Sequence, residues 1–248
     1  MASFEVIVLG VGDVFSEINH PSSLLLHCDG FYLAIDCPDT YRSVLHGASS
    51  SAGRAIDVAS IDHVLITHVH GDHMNGLEGF AFYKHFVEGK HLSLYTTPEV
   101  RSVIWGERLR VSMGKLWDGE RHRTMEFDDY FDYHPLDWTH KVAIGPFAVS
   151  IHPTVHHVPT IGLLVECMGR RLGYSSDTAF DPQLISFLSA ADLIIHETNY
   201  GPAHTALFDL ESLPDHLQKN MRLIHVPDEL ASVATSIRTL HEGEVLRV

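Results

Sequence analysis

Five things this chain lacks or has little of bound what it can be. No run of about 18 uninterrupted apolar residues occurs. Met1 to Glu5 opens without a basic stretch leading into an apolar one. A soluble, non-exported, cytoplasmic protein that neither spans nor needs a membrane is therefore expected. Cysteines are few: Cys28, Cys37 and Cys167 are odd in number, widely spaced and free of any C-x-x-C pair. Reduced thiols are expected, none of them a metal ligand. Basic residues are also scarce, 17 Lys and Arg against 32 Asp and Glu, for a formal charge of −15. Holding a long nucleic acid requires Lys and Arg surfaces that neutralise phosphates, so no long nucleic acid is expected as partner. Finally, no linker-like stretch divides the 248 residues, of which 45% are apolar. One large α/β domain spanning residues 1–248 is expected.

Against these absences stands one dense stretch, Thr67-His68-Val69-His70-Gly71-Asp72-His73. Three histidines and an aspartate fall within its last six residues. The chain holds 20 histidines, so a single one means little. The H-x-H-x-D-H spacing carries more, because it follows the apolar run Val64-Leu65-Ile66, which reads as a buried strand. Gly71 permits a tight turn at its end. A strand delivering imidazoles and a carboxylate from one turn suits one or two divalent metals.

The flanking chain reads as alternating strands and helices. Val6-Ile7-Val8-Leu9 ends in the glycine loop Gly10-Val11-Gly12-Asp13, which is weak evidence for phosphate binding. Ser23–His27 and Phe31–Ile35 flank a turn at Asp29-Gly30. Residues 76–140 hold all three tryptophans and many other aromatics, an insertion suited to a pocket wall or lid, a subunit interface of a homodimer, or ordinary core packing. Within it, residues 126–132 read as a solvated loop. Pro146–Ile151 alternates as a strand, Leu163–Glu166 and Arg171–Tyr174 read as a hairpin, and Ala191–Thr198 as a further strand. Residues 211–219 read as a helix, Met221–His225 as a strand, and residues 231–248 as a helix and a closing strand.

The stretch from Thr67 to His73 resembles the metal-binding signature of the metallo-β-lactamase superfamily. That resemblance implies an αββα sandwich, two mixed β-sheets flanked by helices, with a two-metal site at one edge. The L-G-x-G opening is similar to that of ribonuclease Z-like members. These members also space a histidine six residues before a glycine, which selects His156 (before Gly162) over His157. Ser175-Ser176-Asp177-Thr178 is similar to the family's G-D-T, with Ser176 in place of glycine. Its aspartate bridges both metals. Lactam-cleaving members commonly carry cysteine there, so Asp177 argues against lactam hydrolysis. His225 stands where the last ligand arrives. By resemblance, one metal takes His68, His70, His156 and Asp177, and the other Asp72, His73, Asp177 and His225.

Further residues enter by the same route. Asp36 either orients the metal turn or caps the helix after it. Asp192–Glu197 matches the family's D-L-x-I-H-E, which makes His196 and Glu197 candidates for support of the ligands, with core or strand-end roles equally open. His204-Thr205 resembles an H-x-T segment, with Ala206 departing from it, so His204 is a candidate proton donor. No glycine- and proline-rich arm of the kind that grips transfer RNA is present, which speaks against transfer-RNA processing. The cofactors implied are two divalent ions, zinc first, with manganese or iron also suited to the donors.

The reaction implied is hydrolysis of a small or cyclic phosphodiester by a hydroxide bridging the metals, oriented by Asp72 and assisted by His204. Acyl-bond hydrolysis of a thioester or lactone, and a di-iron redox or oxygen-sensing role, are the competing expectations.

Overall fold

A computed structural model describes residues 3–230 and 232–248. Its two seven-stranded sheets are built on one plan. The first runs, in spatial order, Val245–Arg247, Glu5–Gly10, Ser23–Cys28, Phe31–Ile35, His63–Leu65, Leu92–Thr96 and Phe131–Pro135. Its pairings are antiparallel up to Phe31–Ile35 and parallel beyond it. The second runs Val142–Ile144, Phe147–Pro153, Ile161–Cys167, Arg170–Tyr174, Leu193–Glu197, Met221–Ile224 and Arg238–Thr239. It too is antiparallel first, up to Arg170–Tyr174, then parallel.

Alternating side chains along each strand explain why the sheets pack face to face. From Glu5–Gly10, Val6 and Val8 join an inner core with Phe147, Val149, Leu163, Val165, Ile195 and Ile224 of the second sheet. Ile7 and Leu9 point the other way, against Val44, Leu45 and Ala48 of the helix Tyr41–Ser51. Leu164, Ile194 and Leu223 do the same on the outside of the second sheet, where Leu184, Ile185 and Leu188 of the helix Pro182–Leu188 cover them. Helices outside and two mixed sheets within are the αββα arrangement. No helix among the described residues is long and apolar enough to cross a membrane.

The aromatic-rich residues 76–140 supply two of the first sheet's strands, Leu92–Thr96 and Phe131–Pro135. Phe80, Phe127, Tyr130 and Phe131 are buried in the outer core of that sheet, with Trp105 packed against them. Three expectations are corrected here. Residues 126–132 are not a solvated loop, because a one-turn helix at Phe127–Asp129 and the strand after it bury Phe127, Tyr130 and Phe131. The helix expected over 211–219 is two short ones, Leu207–Glu211 and Asp215–Asn220, interrupted around Pro214, whose ring cannot continue a helix ladder. Residues 232–248 form two short strands, Arg238–Thr239 and Val245–Arg247, rather than a helix and a strand, each pairing with the edge of one sheet; Ala231 lies outside the described residues.

Candidate metal centre

The parallel strands of both sheets end at the same edge, the side of an α/β sheet where ligands gather. His63–Leu65 runs into Ile66 and Thr67, and then into the turn carrying His68 and His70. A short helix at Gly71–Met74 carries Asp72 and His73. Gly76 lets this helix lie against the chain after Phe31–Ile35: a Cβ there would sit 2.0 Å from the Pro38 carbonyl oxygen. Two backbone bonds close the contact, from Cys37 N to the His73 carbonyl (2.7 Å) and from Gly76 N to that of Cys37 (2.9 Å).

The second half contributes from separate loops. His156 follows Phe147–Pro153, Asp177 follows Arg170–Tyr174, and His225 follows Met221–Ile224. Donor atoms of His68, His70, His156 and Asp177 lie within 4.8 Å of one another. Those of Asp72, His73 and His225 form a second such group, and Asp177, His204 and His225 a third. Asp177 joins the groups: Oδ1 is 3.3 Å from His73 Nε2, while Oδ2 is 3.7 Å from His68 Nε2 and 3.6 Å from Nε2 of both His156 and His225. His156 Nε2 is 3.1 Å from His70 Nδ1, whereas His157 is exposed.

The buried partners of these rings fix which nitrogen carries the proton. Asp36 is fully buried and held at φ 61°, a left-handed conformation that costs a non-glycine residue about 1–2 kcal/mol. Its carboxylate accepts from Thr67 N (2.8 Å), Thr67 Oγ1 (2.9 Å) and His73 Nδ1 (2.8 Å). The Thr67 hydroxyl proton is thereby used, so its oxygen accepts from His68 Nδ1 at 3.1 Å. His156 Nδ1 donates to the Ala203 carbonyl (3.0 Å). In all three rings Nδ1 holds a proton and Nε2 turns inward, where the neutral ring offers a lone pair to a cation. Asp36 thus orients the turn and does not cap the helix at Tyr41–Ser51, whose cap residue Thr40 makes no side-chain bond.

Burial pushes His68 well below its ordinary pKa, and pushes His156 down to about 4. Burial also opposes ionisation of Asp177, but the neighbouring His225 and His73 outweigh it and hold the carboxyl well below the usual range. Asp72 is likewise held low, burial being outweighed by His73. His73 goes the other way: burial disfavours its charge, yet Asp177, Asp36 and Asp72 together raise it.

His73 Nε2, Asp177 Oδ1 and His225 Nδ1 are buried with no hydrogen-bond partner. Orphaned buried donors and acceptors are costly. Convergent imidazole lone pairs and low-pKa carboxylates with orphaned atoms among them are what divalent cations satisfy, so the residues present fit a metal centre.

Around it, the structure places the other expected residues unequally. Glu197 Oε1 accepts from Thr178 N (2.8 Å) and lies 3.0 Å from His204 Nδ1. Burial and then the Asp177 charge raise the Glu197 pKa well above its ordinary value. His204 stacks on His225 with ring centroids 5.4 Å apart. His196 is not brought to the ligands. Strand alternation turns it away, and its Nδ1 meets the Glu197 carbonyl instead. Two contributors receive no role of their own from the sequence, although Thr67 opens the signature stretch. Thr67 relays Asp36 to His68. Arg108 grips the ligand turn from outside, donating to the Val69 carbonyl and to Asn75 Oδ1, each at 2.8 Å.

The centre opens into a cleft of about 1050 Å³ lined by His70, Asp72, Asp177, His204 and His225, and by the loops bearing Phe15 and Tyr200. No Lys or Arg is among the described residues that line it. Gly10 and Gly12 serve close packing, not the cleft: Cβ atoms there would sit 2.1 Å from the Pro21 carbonyl oxygen and 2.7 Å from Ser16 Cβ.

Two mixed sheets in an αββα sandwich, with a histidine and aspartate centre at the ends of their parallel strands, define a protein of the metallo-β-lactamase fold. The fold is shared with YhfI of Bacillus subtilis at a TM-score of 0.75, with 18% identity over 99% of this chain and 100% of that one. Within that class, the chain belongs to the anti-Pycsar protein Apyc1 family, whose description fits residues 4–243. It is 31% identical to the anti-Pycsar protein Apyc1 of Paenibacillus sp. (strain J14) over 231 residues, covering 91% of this chain and 90% of that protein. It is also 24% identical to the cAMP/cGMP-dependent 3′,5′-cAMP/cGMP phosphodiesterase B of Dictyostelium discoideum, covering 98% of this chain but 22% of that longer protein.

Proposed function

We propose that this protein is a cytoplasmic phosphodiesterase that opens 3′,5′-cyclic mononucleotides, with zinc as its metal and the seven residues His68, His70, Asp72, His73, His156, Asp177 and His225 as ligands. The carrying observation is a cleft whose floor is the His and Asp centre and whose lining offers no Lys or Arg among the described residues. A cyclic mononucleotide brings one negative charge, which the centre alone can meet. A long polyanion would face Glu17, Asp228 and Glu229 on the rim without any compensating cation. The 3′,5′-cAMP/cGMP phosphodiesterase activity in the name of the Dictyostelium relative supports the same substrate class.

Divalent ions held by these ligands would supply an acidified water and neutralise charge on the phosphate. The protein's own residues do the rest. The Asp72 carboxylate accepts a hydrogen bond from the attacking water and aligns it. His204, its Nδ1 fixed by Glu197, presents Nε2 to the leaving ribose oxygen and passes it a proton. Asp36 and Thr67 hold the two buried histidines of the turn in the ligating tautomer throughout.

The test is incubation of metal-loaded protein with a 3′,5′-cyclic mononucleotide, with a thioester and a lactone alongside, and separation of the products by chromatography. Nucleoside monophosphate is expected from the wild type and none from Asp72→Asn or Asp177→Asn. Thioester or lactone turnover without cyclic nucleotide turnover would replace this reading with acyl hydrolysis. Intense visible absorption with bound iron in freshly purified protein would replace it with a redox role.

A further inference from the structure

Val14, Phe15, Ile18 and Tyr200 are four of the thirteen strongly exposed large apolar side chains among the described residues, and all four line the metal cleft. Phe15 is 85% exposed and Tyr200 59%. Single exposed apolar residues need no explanation, but a cluster on the rim of a catalytic cleft does.

The loops that carry them are tied in place. Asp13 and Asn199, both buried, share a hydrogen bond of 3.0 Å from Asn199 Nδ2, which joins the loop of Phe15 to that of Tyr200. Asp13 Oδ1 also accepts from Phe15 N (2.9 Å), and Asn199 Oδ1 from Tyr200 N (2.7 Å). Each aromatic residue is thus anchored by its backbone to one end of a single buried side-chain pair. Asp228 adds a third tie: its carboxylate accepts from Ser16 Oγ (2.5 Å) and Glu17 N (2.8 Å), and it lies three residues after His225. Val226 N, next to His225, bonds the Val11 carbonyl (3.0 Å). The aromatic rim is therefore held in register with the metal centre.

We infer that Phe15 and Tyr200 form the subsite for the planar base of the substrate, stacking on its faces without reading its edge. The inference rests on the cyclic nucleotide reading above and adds where the base is held. An aromatic face accepts any base, because every base presents a π surface. The cleft is large enough for a whole mononucleotide. Aromatic side chains have only two rotatable bonds, and with their backbone already tied they lose little freedom on binding.

The experiment compares a cyclic mononucleotide with ribose 3′,5′-cyclic phosphate, which has the reacting group but no base. For the wild type, KM for the base-free compound should be roughly 5- to 150-fold higher, the range expected for one stacked base. Phe15→Ala should raise KM for the nucleotide toward the base-free value. It should leave kcat, bound metal and the base-free KM unchanged, and Phe15→Trp should restore the low KM. Tyr200→Ala gives a second, independent reading of the same loss. Equal KM values for the two compounds in the wild type would overturn the inference while leaving the phosphodiesterase reading intact. A change of molecular mass in solution on Phe15→Ala, with KM unmoved, would overturn it in favour of an interface with a second copy. Turnover of neither compound would remove the reading and the inference together.

Discussion

The two sheets repeat one order of antiparallel and then parallel pairings, yet they load their strand ends differently. In the first, the strand Phe31–Ile35 ends in Asp36, which stays inside the protein as a brace. The next parallel strand then delivers four donor residues within six positions. In the second, the corresponding strand Arg170–Tyr174 ends near Asp177, which stands among the donors itself, and the histidines arrive one per loop. Those loops hold one another: Thr154 Oγ1 donates to the Asp177 carbonyl, Ala179 N to that of Val155, Thr205 Oγ1 to that of Thr178, and His156 Nδ1 to that of Ala203. One half concentrates its donors and needs a single deep anchor. The other disperses them and relies on links between loops. The pair His204 and Glu197, proposed above to donate the proton, belongs entirely to the second half.

The comparison can be broken at several points. Outside the proposed ligands, the largest effect is expected from His204→Ala. If the second half carries the proton transfer, kcat on a cyclic nucleotide falls by roughly 10² to 10⁴-fold while bound metal is unchanged. Bis(p-nitrophenyl) phosphate, whose leaving group needs no proton, should be spared. Equal losses on both esters would show that His204 acts on the site's structure. Asp36→Asn comes next. It removes the anion that fixes His73 and, through Thr67, His68, so metal affinity measured by titration of the stripped protein should fall about 10- to 100-fold. Unchanged affinity would mean that the concentrated turn holds itself.

Ser176→Gly should have the smallest effect, and a favourable one. Ser176 is buried at φ 52° with an unpaired hydroxyl, so relieving the left-handed backbone should stabilise the metal-free protein by about 1 kcal/mol in denaturant unfolding. A loss would show that the strained serine supports the Asp177 loop in a way glycine cannot.

Much of this was legible in the chain, for reasons that differ between the halves. His68, His70, Asp72 and His73 are close in sequence because one turn after one strand carries them, so their spacing alone announces a metal turn. His156, Asp177 and His225 lie on separate loops, and only a resemblance to a family picks them out of 20 histidines. Strands of the inner core showed themselves by alternation and continuous apolar runs. The helix expected over residues 211–219 did not survive Pro214, and nothing in the spacing around His196 told that it would face away while Glu197 faced the centre. Likewise, composition could not say whether the aromatics of residues 76–140 form a lid or a core. Burial decides it for Phe80, Phe127, Tyr130 and Phe131, which lie under the outer face of the first sheet.

By itself, then, the sequence determined the kind of chemistry, because ligand types, the run of acids and the shortage of cations are properties of residues. The tertiary structure alone decided which nitrogen of each ring turns inward, which carboxylate braces and which faces the cleft, and that Phe15 and Tyr200 stand on one rim. Those depend on hydrogen bonds and packing between separate segments, such as Asp36 and His73 with a separation of 37, His156 and Ala203 with one of 47, and Asp13 and Asn199 with one of 186, and no local pattern encodes them.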